Sequence, residues 1–224
     1  MFVKIKDFLN CQGIKYLAPA KAGEDAERMV GYRELGQEAR QEFTPLASQA
    51  RKEFTHLVSD FQKIFPHLKQ ERTSQWMNQA QILRPHFWAY LQGEGEIADP
   101  MFALRLYGDA KDFGVSLEVS FIERKKDEES LQKQNRVLTL PVSSPVYYFA
   151  QIEGVSQRFQ GTEANRLRLL KGVEASQVRK VLVKVDVNLS QATSRDAILE
   201  ELKKGMACLL PYYEATRQRI EGDA

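Results

Sequence analysis

Between residues 84 and 124 apolar side chains recur at every second position in successive runs, and that period dictates a sheet. In RPHFWAYL, Phe87, Ala89 and Leu91 fall on one side while His86, Trp88 and Tyr90 fall on the other. After the loop QGEGEIADP, Phe102, Leu104 and Leu106 alternate with Ala103, Arg105 and Tyr107. A turn at Gly108 and Asp109 leads to Phe113, Val115, Leu117, Val119 and Phe121, which alternate with Ser116, Glu118 and Ser120. Successive Cβ atoms leave a strand in opposite directions, and short connections join antiparallel neighbours. The stretch therefore predicts a meander with one apolar face and one polar-aromatic face.

The residues before it read as helix. Thr44 and Pro45 make a good start, a hydroxyl cap followed by a ring that pre-sets the first helical φ. Leu46, Ala50, Phe54, Leu57, Val58, Phe61, Ile64 and Phe65 then line one helical face, and Pro66 ends the run. A more polar helix is expected over residues 23–43 and a short one over residues 74–83, carrying Trp76 and Met77 toward the same core.

Beyond the meander, the charged residues 125–134 form a solvated helix or loop. A strand over residues 146–152 returns as a hairpin through residues 154–159, and Thr162 opens a short basic helix. Val181, Val183, Val185 and Val187 mark a further strand, and a long helix begins near Thr193, with Asp196 as part of a capping box and Pro211 kinking or ending it. The expected class is α+β: residues 1–83 are a helical N-terminal part, and residues 84–224 carry an antiparallel sheet, a meander plus further strands, with a long C-terminal helix.

Function classes are bounded mainly by exclusion. Thirty-two Lys and Arg against 30 Asp and Glu leave a formal charge of +2, without the marked excess of a dedicated nucleic-acid binder. Cys11 and Cys208 are far apart and lack metal-ligand spacing. The N-terminal apolar run is broken by Lys4, Lys6 and Asp7, too short for a secretory leader, and no stretch approaches the roughly 20 apolar residues that span a bilayer. A cytoplasmic location is the expectation. There is no G-x-G-x-x-G, P-loop, G-x-S-x-G, H-E-x-x-H or C-x-x-C, and the element order is not the alternating βαβ of a dinucleotide fold. No cofactor and no metal ion is implied.

The second face of the meander carries the chemistry. Stacking rings at Trp88, Tyr90 and Tyr107 beside Arg105, His86 and Glu118 suit a planar or anionic ligand, and they equally suit an ordinary wet sheet face in which Arg105 pairs with Glu118. An enzyme would use His86 as acid or base with Glu118 as its partner, which requires the two within hydrogen-bond reach. Arg158, Arg166, Arg168, Lys171, Arg179 and Lys180 are the local basic excess, a phosphate-contacting or simply solvated segment. Lys184 and Asp186 read as a solvated strand edge, His56 and His67 as isolated residues with structural or surface roles rather than metal ligands, and Glu94, Glu96 and Asp99 as a solvated acidic loop or a cation site.

The run RPHFWAYL followed by FALRLYGDAKDFGVSLEVSF resembles a small family of uncharacterised bacterial proteins, some of which carry a glucose-6-phosphate dehydrogenase label. The resemblance supplies no catalytic motif, and the missing dinucleotide fingerprint speaks against that activity. The expected function is a binding or accessory protein holding an anionic or planar ligand through Trp88, Tyr90, Arg105 and Tyr107. The alternatives are an unfamiliar hydrolase or transferase built on His86 and Glu118, and a nucleic-acid module built on residues 158–180. No membrane partner is expected, and packing of the helical arm on its own sheet or on a second copy is left open.

Overall fold

A computed structural model describes residues 1–11, 14–15, 33–34, 37–78, 83–84, 86–97, 99–123, 128–142 and 144–217. Helix α1 (Val3–Leu9) precedes two short parallel strands, β1 (Ile14–Lys15) and β2 (Arg33–Glu34), then helix α2 (Gln37–Ile64) and strand β3 (Lys69–Gln70). The meander follows as β4 (Trp88–Gln92), β5 (Met101–Gly108) and β6 (Phe113–Ser120). Helix α3 (Glu128–Asn135) and a 3-10 turn (Arg136–Thr139) lead to the hairpin β7 (Tyr147–Ile152) and β8 (Val155–Phe159). Helix α4 (Glu163–Glu174), strand β9 (Val178–Asn188) and helix α5 (Arg195–Arg217) complete an α+β fold.

One seven-stranded sheet runs in the order β3-β4-β5-β6-β9-β7-β8, with antiparallel pairing throughout. Its first face is the core. Phe87, Leu104, Leu117, Val183 and Tyr148 are fully buried there. Helices α1 and α2 reach this face through Phe8 and Phe54, whose rings lie 4.6 and 6.0 Å from Phe87, and α5 lays Gly205 against Val185 and Leu117. Gln134 of α3, also fully buried, donates from Nε2 to the carbonyls of Val119 and Val181 at 3.1 and 2.9 Å, clamping β6 to β9 where their ladder stops.

Several local expectations are corrected. Thr44 and Pro45 lie inside α2 rather than at its start. Proline removes only the bond to the carbonyl of Gln41, on the exposed side, while Phe43, Ala47, Ala50 and Phe54 keep one buried stripe running through it. The proposed helix over residues 23–43 falls largely outside the described residues, and its last part is continuous with α2. Pro211 likewise sits on the exposed side of α5, which continues to Arg217, and Ser194 rather than Thr193 caps that helix by accepting from Ala197 N at 3.1 Å, with Asp196 in its first turn. Residues 74–78 are not helical. Glu71 and Ser74 donate their N–H groups to the carbonyls of Tyr90 and Trp88, and Met77 bridges Leu83, so this stretch follows the outer side of β4. Here β4's unpaired backbone groups outweigh local helix propensity.

Candidate functional site: the polar-aromatic sheet face

The register aligns the second face in cross-strand rows. One row carries Trp88, Arg105, Ser116 and Asp186; the next carries Tyr90, Ala103, Glu118, Lys184 and Tyr147. Neighbouring strands are about 4.8 Å apart, so long side chains in adjacent rows meet.

Glu118 is the centre. Its carboxylate is fully buried; Oε1 accepts from Arg105 Nε at 3.1 Å, and Oε2 lies 2.5 Å from Lys184 Nζ. That second contact is a buried ion pair, Lys184 being 4% exposed. Burial alone would favour the neutral acid, but the two cations overcome it and hold the Glu118 carboxyl below its usual range. Burial also opposes the charge on Arg105, and facing Glu118 and Tyr90 more than offset it.

A second pair stands beside the first. Asp186 accepts from Arg158 and from the Tyr147 hydroxyl, both at 2.7 Å, and the Arg158 guanidinium lies 3.6 Å from the Tyr147 ring centroid. Lys184 is 4.2 Å from the centroid of Phe149. Trp88 holds two guanidiniums, Arg84 at 4.5 Å and Arg105 at 5.0 Å from its centroid. Arg84 donates to the Met77 carbonyl at 3.2 Å, and no carboxylate among the described residues pairs with it. Arg84, Arg105, Arg158 and Lys184 thus share this face with Glu118 and Asp186, while Glu123 and Asp112 act on Tyr90 and Tyr107.

The rest of this face is half-buried. Tyr90, Tyr107 and His86 keep some surface exposed, yet burial is the largest influence on each ionisation. It pushes the Tyr107 phenol up to about 12, raises Tyr90, and holds the His86 imidazole below its usual value, with Arg105 and Lys184 adding repulsion. These three groups are therefore partly covered by their neighbours on this face.

Of the residues expected from sequence, Trp88, Tyr90, Arg105 and Glu118 do come together, while Tyr107 shares their face but lies four strand positions from the Tyr90 and Glu118 row. His86 does not join Glu118: its Nε2 bonds the Gly108 carbonyl at 2.9 Å, and it precedes the Glu118 row by four strand positions, roughly 13 Å. Lys184 and Asp186 are not a solvated edge, because β9 is an interior strand and Lys184 is 4% exposed. Their alternation with Val183 and Val185 was the available signal, but it could not reveal which strands flank them.

The basic segment is dispersed. Arg166 pairs with Glu163 at 2.7 Å and donates to the Leu138 carbonyl, Arg179 and Lys180 both engage Glu123, and Arg158 belongs to the site above. Asp99 is tied to Lys133 at 2.7 Å, which removes it from the acidic loop as a free ligand. Elsewhere, a cleft of about 570 Å³ is lined by Leu68, Phe102, Tyr213 and Arg217, with Arg217 directed to Glu94 and the Tyr213 hydroxyl. Among the described residues no His, Cys, Asp and Glu side chains form a metal-binding group, and no helix is long and apolar enough to cross a membrane. No protein-family model matches the chain, and no curated protein is detectably similar to it.

Proposed function

We propose that the second sheet face binds a small anionic ligand with a planar group, making the protein a binding or accessory protein. The observation that carries this reading is the pair of guanidiniums on Trp88, Arg84 at 4.5 Å and Arg105 at 5.0 Å, only one of which has a carboxylate partner. Arg84 has no carboxylate partner among the described residues, and an anion bound beside the Trp88 ring supplies one. The planar part of the ligand lies along Tyr90 beside Trp88 and Arg105, with Tyr107 further along the same face, where aromatic contact and cation–π attraction strengthen as water is displaced. The reading also places the protein in the cytoplasm, where thiols stay reduced, in keeping with Cys11 donating to the Asp7 carbonyl at 3.7 Å and Cys208 as a free thiol.

A thermal-shift series with nucleotides, sugar phosphates, nicotinamide cofactors and aromatic carboxylates tests it. Saturating ligand raises stability by about 2.7 kcal/mol at a hundredfold excess over Kd. The shift is expected to vanish in Arg84→Gln and Trp88→Leu, neither of which strips Glu118 of a partner. A full panel without effect, or a shift that survives both substitutions, overturns the assignment.

A further inference from the structure

The sheet has two edges of different character. On one, β3 spans two residues and presents an exposed lysine, Lys69, a common way to discourage pairing. On the other, β8 spans five residues, VSQRF, with neither proline nor lysine, and Val155 is 60% exposed. This edge lacks proline and lysine, and its one charge, Arg158, is held by Asp186 on the second sheet face.

Register determines what β8 can offer. Glu153 and Gly154 have φ of 49° and 82°, as a two-residue type I′ turn requires, so the flanking residues Ile152 and Val155 form a hydrogen-bonded pair. Pairing then alternates: Gln157 and Phe159 bond inward to β7, while Ser156 and Arg158 turn their N–H and C=O groups outward. Those outward groups suit another antiparallel strand.

We infer that β8 pairs with β8 of a second copy about a two-fold axis through Gln157, joining the two sheets edge to edge. About this axis Ser156 faces Arg158 of the other copy, so the outward groups of both residues are satisfied reciprocally. Val155 faces Phe159, an aromatic with a β-branched residue, and no like charges oppose one another. The exposed side chain of Leu167, 44% accessible, shares a cleft with Ile152, the cross-strand partner of Val155, and extends the apolar surface beside the edge. Such a contact is isologous and closes at two copies.

Sedimentation velocity over a range of protein concentrations tests the pairing. The wild-type chain is expected to pass from monomer to dimer. Gln157→Lys and Gln157→Glu each place like charges face to face on the axis and are expected to stay monomeric alone, whereas an equal mixture regains the dimer as a heterodimer. Ser156→Pro removes only an outward N–H, so it is expected to be monomeric with an unchanged melting temperature and far-UV circular dichroism. A wild-type chain that is monomeric throughout, charge variants that dimerise singly like wild type, or a mixture that stays monomeric each overturns the inference.

Discussion

Arg105 Nε donates to Glu118 Oε1 at 3.1 Å across β5 and β6, and this pair is built into the sheet rather than laid on its surface. Breaking a buried pair strands the remaining charge. Glu118→Gln leaves Arg105 and Lys184 facing each other over a neutral amide, and a loss of about 3–5 kcal/mol is expected. Urea unfolding measures it, and Glu118→Gln combined with Lys184→Met is expected to recover part of the loss.

His86 sets a pH dependence. Its folded pKa lies below the unfolded value of 6.5, so as the pH falls the unfolded chain takes up the proton first. The contribution to stability is complete above that value and is lost progressively as pH drops from it toward the folded pKa. Denaturant unfolding at about pH 7.5 and about pH 5.5 should therefore show a weaker fold at the lower pH, with a smaller difference in His86→Gln. If the proposed anion binds beside Arg105, the His86 ring titrates at higher pH in its presence, as proton NMR reads directly.

Gln134 reaches carbonyls on two strands from a fully buried position. Gln134→Leu leaves both carbonyls without this donor, at a cost of about 1–3 kcal/mol. Hydrogen exchange should quicken most near Val119 and Val181, and an effect spread evenly over the sheet would contradict the clamp.

Gly108 has φ of +88°, and a Cβ there would collide with the Asp112 backbone carbonyl. Gly108→Ala is expected to cost about 1–3 kcal/mol. Because the Gly108 carbonyl also holds His86, the substitution should move the His86 titration as well.

Where side chains alternate, local sequence was a sufficient guide: the meander, the β7–β8 hairpin, the valines of β9 and the Thr162 cap of α4, which accepts from Asn165 N at 3.3 Å, all follow from period and cap chemistry. Trp88, Arg105 and Glu118 share a face for the same reason. Partnership across distant strands was not legible. Lys184 and Asp186 acquire their role only because β9 inserts beside β6, and Arg158 only because β8 lies beyond β7. Proline misled as a helix start at Pro45 and as a helix end at Pro211, where an exposed carbonyl loses its bond at little cost and a buried stripe on the other side holds the helix together.

The position of β9 between β6 and β7 also orders events in time. As the chain is synthesised, the meander and the β7–β8 hairpin emerge first as separate patches, each with an apolar flank that has no neighbour. Ser120 and Val178, near the ends that must be brought together, are separated by the whole α3–α4 region, so closure carries the delay typical of non-local strand pairing. Until β9 arrives, Glu118 has Arg105 but not Lys184, and the last strand to form supplies both the missing ladder and the missing counter-ion.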